Sequence, residues 1–388
     1  MNILVVPMFA LSQMGGPWSR AQRIAQALEA AGHHVVLARA EDGNCLNPRV
    51  ADTVELEAPS PLGLPMALAS RTFPVAQRLG IAGRKPVRSF EEVLWLTGNL
   101  AYPYLRRSVA AIAEEIRRRG IDAVYAEFSL PAIIAAKAAG VPVFGSVSYP
   151  TQATYACAPA KAKGVRRLLA ELRLPAVESS LELFGWLDRR FVPSCAALEP
   201  FDDAKTRFVG FLEPGAGVCS AKTDGTAKAE ARDLILIYLG SGSVPAGRVE
   251  RAVRDAFAGS GREVYVAGAA DTRTEGSLHF APRFDFGDLL GRTACFVHHG
   301  GQNSTMDALA WQVPQVIVPG RVFERRYNGK SIERAGAGLV LEDFTGPALA
   351  HAVERVISKP GFAIASGQLR VELSGLGGAG AIAAALND

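Results

Sequence analysis

The sequence predicts an α/β protein made of two consecutive Rossmann-like domains. At 388 residues the chain exceeds the size at which single hydrophobic cores stop growing. Short apolar strands alternate with helices, which is the pattern of parallel βαβ units. The alternation stops at a small, polar, glycine-bearing stretch and then begins again. We therefore predict a first domain over residues 1–212, a linker over 213–231 and a second domain over 232–388, whose last helix is able to pack back on the first domain.

The first half contains two βαβ units. Pro17 suits the first turn of a helix, where its missing N–H would be unpaired anyway, and Gly32 ends that helix. The predicted elements are, in order, a strand at 3–7, a helix at 17–31, a strand at 34–38, a helix at about 98–119, a strand at 122–127, a helix at 131–139 and a strand at 141–147. Residues 53–97 carry repeated prolines, so we expect surface loops and short helices there.

The second half restarts the pattern. Its predicted strands are 234–239, 263–267, 278–280, 294–297 and 313–319, with a helix at about 248–258 after the first of them. The most unusual residues lie in two loops near the end of this series. A polar loop, His298–Asn303, leads into a helix expected to open at Ser304, and a charged loop ending at Asn328 follows the last strand. In open α/β sheets ligands bind beyond the carboxyl ends of strands, where these loops lie.

Composition narrows the class of protein. The formal net charge of +4 is small and dispersed, which argues against a nucleic-acid partner. The five cysteines are scattered and have no metal-binding spacing, as is typical of reduced thiols in a cytoplasmic protein. No apolar run reaches the roughly 18–20 residues that span a bilayer, and the apolar opening residues lack a basic leader. We therefore expect a cytoplasmic protein.

The loop before the Ser304 helix has the chemistry of a phosphate site. Its glycines expose backbone N–H groups, and the partial positive charge of a helix N-terminus favours phosphate. Asn303 and Ser304 are candidates for capping the helix, for binding phosphate oxygens, or for both. Asp307 lies one turn further on the same face and suits a pair of sugar hydroxyls. This order predicts a nucleotide, with its diphosphate at the helix start and its ribose one turn along.

The segment FVHHGGQNSTMDALAWQVPQVIVP…FERRYN resembles the donor-binding signature of the GT-B glycosyltransferases that use UDP- or dTDP-sugars, and best the large family that glycosylates small lipophilic natural products. The resemblance implies two Rossmann-like domains facing a cleft. The residues that it places on the donor diphosphate are His299, Gly301, Asn303 and Ser304. It places Asp307 on the ribose, in the position of the usual Glu. Glu324 and Arg325 replace the Asp-Gln pair that normally holds the donor sugar, which puts a glucose preference in doubt.

Four further positions match the family less fully. Ser241 and Ser243, after the first strand of the second half, resemble a phosphate-facing loop, although an ordinary βα turn has the same composition. The family's base-stacking tryptophan is absent before the His298 loop. Phe284 or Phe286 is a candidate to stack on the base, and a core position is the alternative for both.

The base of the resembling family is a His in the first loop, held by an Asp at the end of a later strand. Here the His position falls on Pro17, which has no basic group, and the Asp position falls on Glu127. Glu127 is either a surface carboxylate or the base that removes the acceptor's proton. A third alternative is an acidic acceptor that needs little help from a base. The candidate acceptor contacts of this region are Ser12, Gln13, Trp18 and Arg20.

The resulting prediction is an inverting glycosyltransferase that moves a sugar from a nucleotide-sugar donor to a small lipophilic acceptor. No Asp-x-Asp triplet or His/Cys cluster is present, so we expect neither a metal nor a cofactor. Two alternatives remain. The basic amphipathic stretch Lys161–Arg173 favours a lipid-linked acceptor at a membrane surface. The missing base at Pro17 and the changed Glu324–Arg325 pair favour a non-catalytic nucleotide-sugar binder. The sequence leaves the oligomeric state undetermined.

Overall fold

The computed structural model describes residues 1–10, 15–40, 45, 47–64, 69, 71, 72, 86–212, 232–240 and 244–387. The chain divides into two compact units. Among the described residues, the first unit is formed by 1–72, 87–212 and 376–387, and the second chiefly by 232–375. The predicted linker, 213–231, lies outside the described residues.

The first unit is a parallel sheet covered by helices. Its strands are β1 (Asn2–Pro7), β2 (His34–Ala40), β3 (Asp52–Leu56), β4 (Ala123–Glu127), β5 (Val143–Ser146), β6 (Arg189–Val192) and β7 (Thr206–Phe208). Its helices include α1 (Gly15–Ala30), α2 (Phe90–Leu96), α3 (Tyr102–Arg119), α4 (Leu130–Ala139) and α5 (Lys163–Glu171). The strand order is β3-β2-β1-β4-β5-β6-β7, and all neighbours are parallel. The order reverses between β1 and β4, which is the switch point at which ligands bind in such sheets.

The second unit repeats this arrangement. Its strands are β8 (Leu234–Tyr238), β9 (Glu263–Ala267), β10 (Arg273–Glu275), β11 (Leu278–Ala281), β12 (Thr293–His298), β13 (Gln315–Ile317) and β14 (Gly338–Val340). Its helices are α6 (Ala246–Phe257), α7 (Phe286–Leu290), α8 (Gln302–Ala310), α9 (Phe323–Arg334), α10 (Gly346–Ser358) and α11 (Pro360–Ser374). The strand order is β10-β11-β9-β8-β12-β13-β14, parallel except for β10 against β11. Here the switch point lies between β8 and β12.

Burial on both sheet faces explains the apolar strands. The strands β8 and β12 are buried along nearly their whole length, and their side chains fill clusters on opposite faces of the sheet. Parallel sheets covered on both sides have near-continuous Val, Ile and Leu runs for this reason. The α/β fold class predicted from these runs is confirmed. The expectation of loops and short helices over 53–97 missed one strand, β3, because it is a partly exposed edge strand without a continuous apolar run.

The last helix, α12 (Gly378–Asn387), belongs to the first unit, where it packs against α1. By length and composition the stretch Pro360–Asn387 is apolar enough to cross a membrane. Gly377 and Gly378, both with left-handed φ, divide it into α11 and α12. A side chain at Gly378 would lie within 2.4 Å of the Phe211 carbonyl, so the chain passes closely over the first unit at this point. The buried face of α12 accounts for much of its apolar composition.

The helix α5 uses its apolar face inside the first unit. Val165, Leu168 and Leu169 are almost fully buried, whereas Arg166 and Arg167 face outward. Arg167 lies over the ring of Tyr102. A lipid-facing helix would need those same leucines at the membrane surface. The amphipathic pattern that favoured a membrane contact is therefore explained by packing within the unit.

A buried carboxylate orders the region between β3 and β6. Glu91, in the first turn of α2, has no exposed surface. Its Oε1 accepts hydrogen bonds from the Ser180 N–H at 2.6 Å and from the hydroxyls of Ser179 and Ser180, and its Oε2 accepts one from the Ala158 N–H at 2.6 Å. The positive end of α2 also favours the carboxylate. Glu91 thereby joins three segments that lie far apart in the sequence.

We expect Glu91→Gln to destabilise the protein, because the amide turns an NH₂ group toward N–H and O–H donors. Leaving buried donors unpaired in this way costs about 2–3 kcal/mol of unfolding free energy. Urea denaturation measures the loss. The matched control is Glu92→Gln, whose neighbouring, part-exposed carboxylate accepts one bond from the Arg88 N–H. Equal midpoints for both variants would contradict the structural role of Glu91.

Candidate functional site

The candidate nucleotide site lies at the carboxyl end of β12, beside the switch point of the second sheet. The strand ends at His298, and α8 begins at Gln302, two residues before the predicted helix start at Ser304. The next strand, β13, is shorter than predicted. Because β12 pairs in parallel with both β8 and β13, the loops that follow these strands meet at one edge of the sheet.

Buried side chains form hydrogen bonds with both the N–H and the carbonyl of Gly300. Its N–H donates to His298 Nδ1 at 3.1 Å, and its carbonyl accepts a bond from Asn328 Nδ2 at 2.8 Å. Because His298 Nδ1 accepts, the imidazole proton is assigned to Nε2, which lies 2.8 Å from Gln315 Oε1. We call this set of contacts the Gly300 clamp. It joins the loop after β12 to α9, the helix after β13.

The two glycines of this loop are required by space. Gly300 has a φ of 84°, and a Cβ on it would lie 2.8 Å from the Arg325 carbonyl and 2.9 Å from Ile317. A Cβ on Gly301 would lie 2.5 Å from His299 Nε2. Any side chain at either position would displace the loop. The glycines therefore bring the backbone into direct contact with its neighbours.

The start of α8 has no side-chain cap among the described residues. Its N-cap is Gly301, so the expectation that Asn303 or Ser304 caps the helix is wrong. Both residues instead lie in the first turn, where backbone N–H groups have no partner within the helix. Asp307 lies one turn further on, as the sequence predicts. A helix start with a glycine at its N-cap is a typical anion site.

His299 is neutral at physiological pH. Burial, together with the nearby Arg325 charge, lowers the pKa of its imidazole to about 3. Its Nδ1 is buried without a hydrogen-bond partner in the part of the chain that the structure describes. The ring also makes an edge contact with the Tyr238 ring at 5.5 Å. An unsatisfied ring nitrogen beside a helix start is suited to a polar ligand.

Glu324 and Arg325 are not in a loop, as the sequence suggested, but in the first turn of α9. The helix forms because Pro319 and Gly320 end the preceding segment and the residues from Phe323 are compatible with a helix. Both side chains are partly buried. Burial lowers the pKa of the Arg325 guanidinium, while Glu324 and Tyr238 raise it. Arg325 is thus close enough to His299 to act on it electrostatically.

Aromatic rings line the same sheet edge. Phe286 makes edge contacts at 5.6 Å with both Tyr238 and Phe296, which ties it into the hydrophobic cluster on this face. Phe284 makes an edge contact with Tyr265 at 5.3 Å. Both phenylalanines remain partly exposed. Tyr238 was missed by sequence reasoning, because its role depends on the pairing of β8 with β12.

Four predicted site residues cannot be placed. Ser241, Ser243, Ser12 and Gln13 lie outside the described residues. Among the residues that the structure does describe, there is no cluster of three or more His, Cys, Asp or Glu side chains that could hold a metal ion. The four cysteines in this part of the chain are free thiols.

In the first unit Glu127 ends β4 at the switch point, but it is not a surface carboxylate. Its side chain has no exposed surface, and its Oε1 accepts a hydrogen bond from Arg20 Nε at 2.5 Å. Oε2 is buried without a hydrogen-bond partner among the described residues. The next residue, Phe128, has a left-handed φ of 58°, and its ring lies 5.2 Å from the Arg20 guanidinium. This geometry does not support the prediction that Glu127 reaches the acceptor as a base, because its carboxylate is buried and paired with Arg20.

The remaining predicted acceptor residues lie on α1. Arg20 is 11% exposed and is engaged with Glu127. Trp18 is almost fully buried, and Pro17 is buried as well. Arg20 and Glu127 are therefore brought together, whereas Trp18 is directed into the core of the unit.

Parts of the chain are similar in sequence to known proteins. Residues 274–386 match the family model described as "Erythromycin biosynthesis protein CIII-like, C-terminal domain". The chain is 38% identical over 90 residues to an aclacinomycin-T 2-deoxy-L-fucose transferase of Streptomyces galilaeus, covering 22% of this chain and 20% of that protein. It is 32% identical over 148 residues to an O-mycaminosyltylonolide 6-deoxyallosyltransferase of Streptomyces fradiae, covering 36% and 34%. The chain thus spans about a third or less of these two relatives.

The fold match extends over the whole chain. The spinosyn rhamnosyltransferase SpnG superimposes with a TM-score of 0.72 at 18% identity, covering 100% of both chains. Structures of that enzyme include one complexed with thymidine diphosphate and one with spinosyn aglycone. The protein therefore has the GT-B fold. The matched C-terminal region is similar to natural-product glycosyltransferases, in agreement with the family resemblance drawn from the sequence.

The buried His298 predicts an acid-sensitive site. Burial lowers its pKa from the ordinary 6.5 to about 4. Below pH 6.5 this histidine binds a proton in the unfolded chain but stays neutral in the folded chain. The free energy of unfolding therefore falls as the pH drops from 6.5 toward 4. The difference corresponds to about 3 kcal/mol of unfolding free energy. Stability above pH 6.5 is unaffected by this group.

Urea denaturation at pH 7.0 and pH 4.5 measures this loss. We expect His298→Gln, which does not titrate here, to be less stable at pH 7.0 but to lose less on acidification. His351→Gln, which removes an exposed imidazole, is the control and should follow the wild type. An identical pH dependence in wild type and His298→Gln would refute the neutral, clamped histidine.

Proposed function

We propose that this protein transfers a sugar from a nucleoside-diphosphate sugar to a small natural-product acceptor. The observation that carries the proposal is the start of α8, which has a glycine at its N-cap and is held by the Gly300 clamp at the switch point of the second sheet. Such a helix start favours a diphosphate. The named activities of the matched relatives support a sugar donor, and the thymidine diphosphate complex of the fold neighbour supports a nucleotide at this fold.

The donor is proposed to lie along α8. His299, Gly301, Asn303 and Ser304 are the proposed diphosphate contacts. Asp307, one turn further on, is suited to accept hydrogen bonds from the ribose hydroxyls. Thymidine and uridine diphosphate sugars both fit this order of groups. Tyr238, Phe284 and Phe286 offer apolar surface at the same sheet edge.

The reaction is proposed to be a single in-line displacement with inversion. The acceptor oxygen forms a bond to the anomeric carbon, the bond from that carbon to the β-phosphate oxygen breaks, and the electron pair leaves with the diphosphate. The helix start and neighbouring side chains stabilise the growing negative charge where it develops. We propose that these groups act without a metal or further cofactor, in the cytoplasm.

Glu127 is proposed to act as a structural anion and not as the base. Its carboxylate balances the Arg20 charge and ties α1 to β4. A phenol or another acidic acceptor then loses its proton to solvent with little help. The proposal retains the acidic acceptor, which was one of the alternatives drawn from the sequence. It explains the ion pair of Glu127 and Arg20 by a structural role.

Nucleotide binding is the first test. Ligand at 100 times its dissociation constant stabilises a protein by about 2.7 kcal/mol. We expect thymidine or uridine diphosphate to raise the melting temperature, and His299→Ala to abolish most of that rise while leaving the unliganded protein folded. If neither nucleotide raises the melting temperature of the wild type, the proposed function is wrong.

The role of Glu127 is tested by a double-variant cycle. Glu127→Gln removes the carboxylate charge that faces the largely buried Arg20 guanidinium and should cost about 3–5 kcal/mol, whereas Arg20→Gln with Glu127→Gln should recover much of this. With a phenolic acceptor, the folded double variant should turn over within about tenfold of wild type. If Glu127 were the base, turnover would instead fall by about 10²–10⁴.

A further inference from the structure

Arg325 occupies a position that local electrostatics disfavours. It is the third residue of α9, and a cation in the first turn of a helix opposes the positive end of the helix dipole. The start of α8 follows the neighbouring parallel strand, so a second positive helix end lies at the same sheet edge. Glu324, in the same turn, raises the pKa of the guanidinium and so favours its charge. Residues that break a local rule in this way are often functional.

The backbone of Arg325 packs against the loop of the proposed nucleotide site, and its charge acts on a residue of that loop. Its carbonyl packs on Gly300, since a Cβ on that glycine would lie 2.8 Å from the oxygen. Three residues further along α9, Asn328 holds the Gly300 carbonyl. The first turn of α9 is therefore fixed against the loop that leads into α8. The charge of Arg325 acts on His299, which follows β12 directly.

We propose that Arg325 binds the diphosphate of the nucleotide-sugar, and not its sugar, and stabilises the leaving group. This rests on the proposed function. A guanidinium presents a fork of N–H donors that matches phosphate oxygens and stays protonated throughout the reaction. When the bond between the anomeric carbon and the β-phosphate oxygen breaks, the electron pair moves onto that oxygen, and Arg325 gains attraction without transferring a proton.

This assignment differs from the one that the sequence suggests. In the sequence comparison, Arg325 takes the position of a residue that holds the hydroxyls of the donor sugar. A charged guanidinium is not needed to bind such hydroxyls. In the structure, the Arg325 carbonyl packs on Gly300 and the Arg325 charge acts on His299, and both of these residues lie in the loop that leads into α8. The two assignments predict different effects on a nucleotide that carries no sugar.

The test compares thymidine diphosphate, uridine diphosphate and the corresponding nucleosides by isothermal titration calorimetry. We expect Arg325→Gln to weaken binding of the preferred diphosphate by about 10-fold or more, as for a lost hydrogen bond to a charged group. Binding of the nucleoside should change by less than about 2-fold. Arg325→Lys keeps the charge but loses the fork, so it should fall between wild type and Arg325→Gln.

The matched control is Arg326→Gln. The neighbouring Arg326 pairs with Glu342 on the surface at 2.8 Å, and this variant should bind the diphosphate like the wild type. If Arg325→Gln binds the diphosphate normally but the complete nucleotide-sugar more weakly, the sugar assignment is correct and this inference is overturned. If the wild type binds neither diphosphate, the proposed function itself fails, which separates the two outcomes.

Discussion

The hydrogen bonds that hold the Gly300 peptide are the constraint on which the nucleotide site depends. His298 comes from the end of β12 and Asn328 from α9, so the clamp joins the loop after β12 to the helix after β13. It pairs both the N–H and the carbonyl of the buried Gly300, and buried polar groups need such partners. The start of α8, the His299 ring and the first turn of α9 are then positioned together. A site assembled from separate loops needs such a connection to keep its geometry.

The two units differ in the balance of charges at the switch points of their sheets. In the first, the buried carboxylate of Glu127 faces the guanidinium of Arg20, so the charges at the switch point compensate each other. In the second, the guanidinium of Arg325 lies near a neutral histidine and a helix start. The aromatic rings of Phe90, Phe128 and Phe184 pack together beside the switch point of the first unit.

The fold was accessible from the sequence because parallel strands buried on both faces are long apolar runs. The strand ends predicted for β4 and β12 were correct to within one residue. Elements with less distinctive composition were missed. The edge strand β3 is partly exposed, and α9 begins within the charged segment FERRYN, where no apolar periodicity marks a helix. The role of Glu91 was also missed, because its four hydrogen-bond donors lie nearly 70 to 90 residues away.

The sequence by itself determined the α/β class, the two-unit order and the identity of the loop that leads into α8. These follow from local patterns: apolar strands, glycines and polar residues at a helix start. Only the tertiary structure decided which groups are paired and which are not. It placed Glu127 in a buried ion pair, made Asn328 a support of Gly300, and brought Arg325 to His299. The physical reason is that burial and electrostatic balance depend on residues distant in the chain, which no local pattern contains.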